Sequence, residues 1–116
     1  MQDLIKTMKA LSDETRLRII RVLLERECCV CEIMQALDIS QSRASRNLRI
    51  LKEAGFLHAQ RDGVWIVYSI GQQSTNQFAS SLAKLIKEAI ISNDLLEQDM
   101  DRLNNAARVG PKALQR

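Results

Sequence analysis

Apolar side chains recur at helical spacing from the start of the chain. Leu4, Ile5, Met8 and Leu11 share one face, with Lys6 and Lys9 off it, and predict a first helix. Ser12-Asp13-Glu14 reads as an N-cap with acid in the first turn, and Leu17, Ile20, Leu23 and Leu24 form the stripe of a second helix. Arg16, Arg18 and Arg21 flank that stripe as a solvated face. A short third helix is predicted over residues 29–37, with Ile33, Ala36 and Leu37 inward, and Asp38-Ile39-Ser40 breaks it. Ser40 then caps a fourth helix over 41–54, whose inner stripe is Ala44, Leu48 and Leu51. Gly55 suits the left-handed residue that closes a helix.

After Gly55 the period changes. Phe56-Leu57-His58-Ala59 and Val64-Trp65-Ile66-Val67-Tyr68-Ser69-Ile70 alternate or run β-branched and aromatic, with the hairpin dipeptide Asp62-Gly63 between them. A short helix, a three-residue turn, a second helix and a hairpin behind it make a winged helix-turn-helix. A long helix over 74–96 follows, with Phe78, Leu82, Leu85, Ile86, Ala89 and Ile90 apolar. Ile91, Leu95 and Leu96 widen that stripe beyond what one small core needs. The fold predicted is mainly α with a β-hairpin wing and about five helices. One domain spans 1–97, and a polar, partly disordered tail containing Gly110-Pro111 spans 98–116.

Composition narrows the class. A chain of 116 residues, 46% hydrophobic and 27% charged, fits one domain with a modest core, and 3% aromatics make that core aliphatic. No stretch approaches the roughly 18 apolar residues of a membrane span, and no secretory signal precedes the first helix, so a cytoplasmic setting is expected. No nucleophile–base pair, Gly-rich phosphate loop or carboxylate constellation points to an enzyme, and nothing points to an organic cofactor.

The net charge is +3, and the segment 41–63 carries the same excess: Arg43, Arg46, Arg49, Lys52 and Arg61 against Glu53 and Asp62. On the fourth helix Gln41, Ser42, Arg43, Ser45, Arg46 and Arg49 lie off the apolar stripe. Serine and glutamine suit phosphate or base contacts, and arginine forks onto guanine, which points to double-stranded DNA. Arg61, near the hairpin tip, is either a minor-groove contact or an ordinary exposed arginine. Trp65 and Tyr68 are expected to pack the wing onto the helices, and His58 to be a partly buried strand residue.

All three cysteines, Cys28, Cys29 and Cys31, fall within four positions. An odd, crowded set is a poor disulfide framework and reads as metal-binding or redox-active in a reducing compartment, or else as small buried apolar residues.

The chain resembles the ArsR/SmtB family of winged-helix metal-sensing repressors over residues 5–97. The marks are the run from Met8 to Ile19, the cysteine box from Glu27 to Ile33, Leu37-Asp38-Ile39-Ser40-Gln41-Ser42, Ala44-Ser45-Arg46-Asn47-Leu48, Leu51-Lys52-Glu53-Ala54-Gly55 and the wing Arg61-Asp62-Gly63-Val64-Trp65. The resemblance implies a homodimer joined by its first and last helices that blocks transcription at an inverted-repeat operator. Where this chain has Asn47 the family often has histidine; asparagine still bonds adenine or phosphate, which adds Asn47 to the reading residues. In the arsenic-responsive branch two box cysteines match Cys29 and Cys31. A frequent third falls on Met34, a thioether, while Cys28 stands where leucine is usual. The implied inducer is As(III) or Sb(III), held by Cys28, Cys29 and Cys31. Histidine is missing from the last helix, which disfavours the family's zinc-type site, and no cysteine precedes Cys28, which disfavours the cadmium/lead branch. Cd/Pb sensing, thiol redox sensing and a non-sensing helical interaction module remain as alternatives.

Helical geometry adds one expectation. At about 100° per residue, Cys29 and Cys31 point about 200° apart on a regular helix, so the three sulfurs meet only if the helix start unwinds. Extended chain brings i and i+2 to one side.

Overall fold

A computed structural model describes residues 1–71, 77–89 and 94–109. In chain order the elements are α1 (Gln2–Leu11), α2 (Glu14–Glu25), β1 (Cys28–Cys29), α3 (Val30–Leu37), α4 (Gln41–Glu53), β2 (Leu57–Asp62), β3 (Trp65–Ile70), α5 (Gln77–Ala89) and α6 (Asp94–Asn104).

The caps explain the boundaries. The Asp13 carboxylate accepts the Arg16 N–H at 3.0 Å and starts α2, and the Ser40 hydroxyl accepts the Arg43 N–H at 3.2 Å and starts α4. Gly55, at φ +91°, closes α4 with two carbonyl-capping bonds: its own N–H reaches Lys52 and the Phe56 N–H reaches Leu51, both at 3.0 Å. Ile19, Ile20, Ile33, Leu48, Leu51 and Phe56 fill an aliphatic core that clamps α3 and α4 onto α2.

β2 and β3 pair antiparallel from Leu57↔Ile70 to Asp62↔Trp65, so the two turn residues are Gly63 and Val64 rather than Asp62 and Gly63. Of these only Gly63 has positive φ, at +63°, as the first central position of a type II′ turn requires. A third strand was not foreseen: β1 pairs with β3, Cys28↔Tyr68 and Cys29↔Val67, giving the sheet order β1-β3-β2. The cysteine box is thus an edge of the wing's own sheet.

The long helix expected over 74–96 corresponds to α5 and to the start of a further helix, α6; its Ser74, Ile90 and Ile91 lie outside the described residues, as does Gly110-Pro111. The boundary expected after residue 97 falls inside α6, where Leu96, Asp99 and Leu103 are buried. Arg18, expected on a solvated face, donates Nε and Nη2 to the Asp99 carboxylate (2.8 and 2.7 Å) and Nη2 to the Leu37 carbonyl. Arg102 donates to Asp99 and to the Ala36 carbonyl. A polar-looking segment therefore joins the domain because its one buried carboxylate meets two guanidinium groups. Among the described residues no helix is long and apolar enough to cross a membrane.

Candidate thiol site and nucleic-acid interface

The thiol site lies where β1 becomes α3. Cys29 is the N-cap of α3, in extended backbone at φ −80° and ψ 172°. Cys31 lies inside the first turn. Because Cys29 stands just outside the helix, its side chain turns back over that turn, and the two sulfurs are joined as a disulfide with Cα atoms 5.5 Å apart. The extended start expected to bring i and i+2 to one side is thus present for Cys29 and Cys31, while the three sulfurs do not meet.

Cys28 does not join the pair. Neighbouring strand residues face opposite sides, and Cys28 points into the hydrophobic core, fully buried, with its Sγ 3.6 Å from the Arg26 carbonyl. Burial pushes its thiol up from 9.0 to about 12, with Glu32 adding to the shift and Arg26 opposing it, so at neutral pH it is a protonated core side chain. Among the described residues no three His, Cys, Asp or Glu side chains converge as a metal site requires.

Glu32, three residues after the cap, secures the turn. Its Oε1 accepts the Cys29 N–H at 3.0 Å, and its Oε2 takes the Arg26 guanidinium. Burial alone raises its pKa, but the Cys29 N–H, Arg26 and Arg108 outweigh that and hold the carboxyl below its ordinary value. An N-cap followed three positions later by glutamate is the spacing of a capping box, a signal present in the sequence and not used there. Arg108 was also missed, because its partners Glu32 and Asp62 are 76 and 46 residues away.

On the basic side, α4 exposes Gln41, Ser42, Arg43, Ser45, Arg46 and Arg49 along one face. Arg43 is tethered through Nη2 to the Thr15 hydroxyl at 2.8 Å, while among the described residues no ion pair holds Arg46 or Arg49. Arg61 is exposed near the hairpin tip, its Nε on the Gly63 carbonyl. Asn47 is a correction: at 4% exposure it faces inward, its amide nitrogen donating to the Arg43 carbonyl and its oxygen accepting from Arg16 Nη1. Arg16 also donates to the Ala10 carbonyl, so Asn47 belongs to a clasp joining α1, α2 and α4. His58 is exposed on β2, not partly buried. Trp65, expected against the helices, donates its indole N–H to the Val109 carbonyl.

A short helix and a basic helix joined by a three-residue turn, backed by a hairpin, define a winged helix-turn-helix DNA-binding protein. A family model described as "Bacterial regulatory protein, arsR family" matches residues 13–59. The arsenical resistance operon repressor of Escherichia coli K12 is 41% identical over 86 residues, covering 73% of this chain and 70% of that protein. A cadmium resistance transcriptional regulatory protein, the CadC homolog of Staphylococcus aureus, is 40% identical over 76 residues, covering 65% of this chain and 63% of that one. Among solved structures, the homodimeric winged helix-turn-helix domain of Mb0332 from Mycobacterium bovis, a possible ArsR-family regulator, superposes with a TM-score of 0.65 at 28% identity over 76% of this chain and 78% of that one. The chain belongs to the ArsR family. It is a DNA-binding transcriptional repressor and not an enzyme.

Proposed function

We propose that this repressor releases its operator when As(III) or Sb(III) binds the thiolates of Cys29 and Cys31. The observation that carries the reading is the convergence of those two sulfurs across the N-cap of α3. Soft thiolates select thiophilic ions. The reduced pair condenses with arsenous acid: two As–S bonds form, two As–O bonds break, and two waters leave with the thiol protons. The third arsenic bond goes to hydroxide or a small thiol from solution, because Cys28 is turned into the core. The relative named for arsenical resistance supports this inducer, and the cadmium-named relative keeps Cd(II) as a comparison.

Gln41, Ser42, Arg43, Ser45, Arg46 and Arg49 read a major groove and Arg61 reaches the adjacent backbone or minor groove. A second copy covers the apolar face of α1 and α5, where Ile5, Met8 and Leu85 are 46%, 55% and 57% exposed. A twofold dimer then matches an inverted repeat, with the protein in the cytoplasm beside its operator.

The test is fluorescence anisotropy of an operator duplex, selected from randomised inverted repeats, with reduced protein and arsenite, antimonite, Cd(II) or Zn(II). Arsenite is expected to release the duplex from the wild type and from Cys28→Ser, and to leave Cys29→Ser and Cys31→Ser bound. Retention of the duplex by wild-type protein saturated with arsenite refutes the reading. The bonded sulfurs favour a second reading, a thiol redox sensor in which peroxide takes two electrons from the pair and leaves as water. Release by peroxide and not by arsenite supports that one instead.

A further inference from the structure

The chain beyond α6 runs back over α3 to the wing. The Gln35 amide on α3 makes two bonds to Ala107, donating to its carbonyl at 2.7 Å and accepting its N–H at 3.1 Å. Trp65, at the start of β3, holds the Val109 carbonyl at 2.8 Å. Between these anchors Arg108 donates Nη1 to Asp62 at the end of β2 (2.7 Å) and Nε to Glu32 (3.4 Å), with its guanidinium carbon 5.6 Å from the centre of the Trp65 ring. The Glu32 oxygen that Arg108 reaches is Oε1, the same atom that accepts the Cys29 N–H. One carboxylate thus ties the thiol turn to the strap, and one arginine ties the strap to the hairpin.

Cys29 and Cys31 are each only 2% exposed, so a soft ion reaches them only after something moves. The strap, bonded to Glu32 and Gln35 on the same helix, is the cheapest neighbouring segment to open. None of residues 105–109 belongs to the hydrophobic core, whereas β1 and α3 are rooted in it through Cys28, Ile33, Ala36 and Leu37. The Arg108–Asp62 pair has side chains 29% and 67% exposed, and ion pairs that wet hold weakly. Local opening of such a segment leaves the rest of the fold intact.

We propose that residues 106–109 are a latch over the thiol turn, with Arg108 as its bolt. Closed, it shields Cys29 and Cys31 and fixes the hairpin to α3. Open, it admits the effector and frees the hairpin tip. This rests on the preceding reading only in taking the dithiol as the effector site.

The experiment uses the reduced full-length protein and an irreversible alkylating reagent, iodoacetamide, with labelling at Cys29 and Cys31 resolved from that at Cys28 by fragmentation in the mass spectrometer. Arg108→Gln and Asp62→Asn cut the bolt from either end. Each is expected to speed labelling of those two cysteines by about tenfold. Cys28 labelling and the urea midpoint are expected to stay at wild-type values. Wild-type labelling rates in both variants overturn the latch. So does a parallel rise in Cys28 labelling with a lower urea midpoint, which marks general loosening. These rates do not involve arsenic, so failure of arsenite to release the operator sinks the inducer reading and leaves the latch result standing.

Discussion

Replacing Asp99 with alanine is a severe test of how this domain is held together. The carboxylate is fully buried and binds Arg18 through two bonds and Arg102 through one, at 2.7 to 2.9 Å. Removing it leaves the Arg18 guanidinium, 12% exposed, without its counter-ion. Stripping one partner from a buried pair costs about 3–5 kcal/mol. Arg102 is 35% exposed and turns to water readily, so the lower end, about 3 kcal/mol, applies. At a urea m-value of about 2 kcal/mol/M this lowers the midpoint by about 1.5 M at fixed protein concentration. The double variant Arg18→Met/Asp99→Leu replaces charge with apolar volume and is expected to recover most of the loss. Arg18 and Arg102 also hold the Leu37 and Ala36 carbonyls at 3.1 and 2.8 Å, the last turn of α3. Operator affinity is therefore expected to fall in Asp99→Ala and to recover only in part in the double variant, which keeps the Arg102 bond to Ala36 and lacks the Arg18 bond to Leu37. A loss below about 1 kcal/mol, or a double variant no better than Asp99→Ala, refutes this account.

Other substitutions separate reading residues from structural ones. Arg46→Ala and Arg49→Ala are each expected to lower the slope of log K against log salt by about 0.9, measured by anisotropy titrations across salt concentrations. Asn47→Ala is expected to leave that slope unchanged and cost about 1–2 kcal/mol in urea, because Arg16 Nη1 loses its acceptor. Gly63→Ala meets no neighbouring atom yet forces φ +63° on an L residue, and thermal denaturation is expected to show a loss of about 1 kcal/mol. Asp38 caps α3 at φ +55°, so Asp38→Gly is expected to gain about 0.5–1 kcal/mol in the same assay.

The hydrophobic period, the caps at Ser40 and Gly55, and the switch to alternation after Phe56 made the helix-turn-helix and its wing legible, because each is a local signal. What escaped was set by contacts distant in sequence. Asp99 looks like any acid on a polar helix until Arg18 appears, 81 residues away. Asn47 sits among exposed side chains on α4, and only the Arg16 clasp turns it inward. The cysteine box was found from spacing, which left a helical and an extended start both open. As the cap Cys29 is extended, and the i and i+2 sulfurs meet. Cys28 then falls to the other side by the alternation of a two-residue strand that no periodicity reveals, since its partner is Tyr68 on the wing.

That short strand changes how the proposed signal travels. Tenfold weaker operator binding corresponds to about 1.4 kcal/mol, and the effector must favour the DNA-free arrangement by the same amount. One lost backbone hydrogen bond is worth about 1 kcal/mol net. Cys29 carries both a sulfur for the effector and the strand pairing to Val67, next to the wing residues that flank Arg61. Its N–H is also held by Glu32, whose other contacts are Arg26 and Arg108. Turning the Cys29 backbone to suit As–S bonds draws on that pairing and that cap together, and both lead to the hairpin. Release therefore requires no melting of α3. The torsion of one N-cap residue commands interactions of the right size, and its neighbours in the sheet lead to the hairpin tip that carries Arg61.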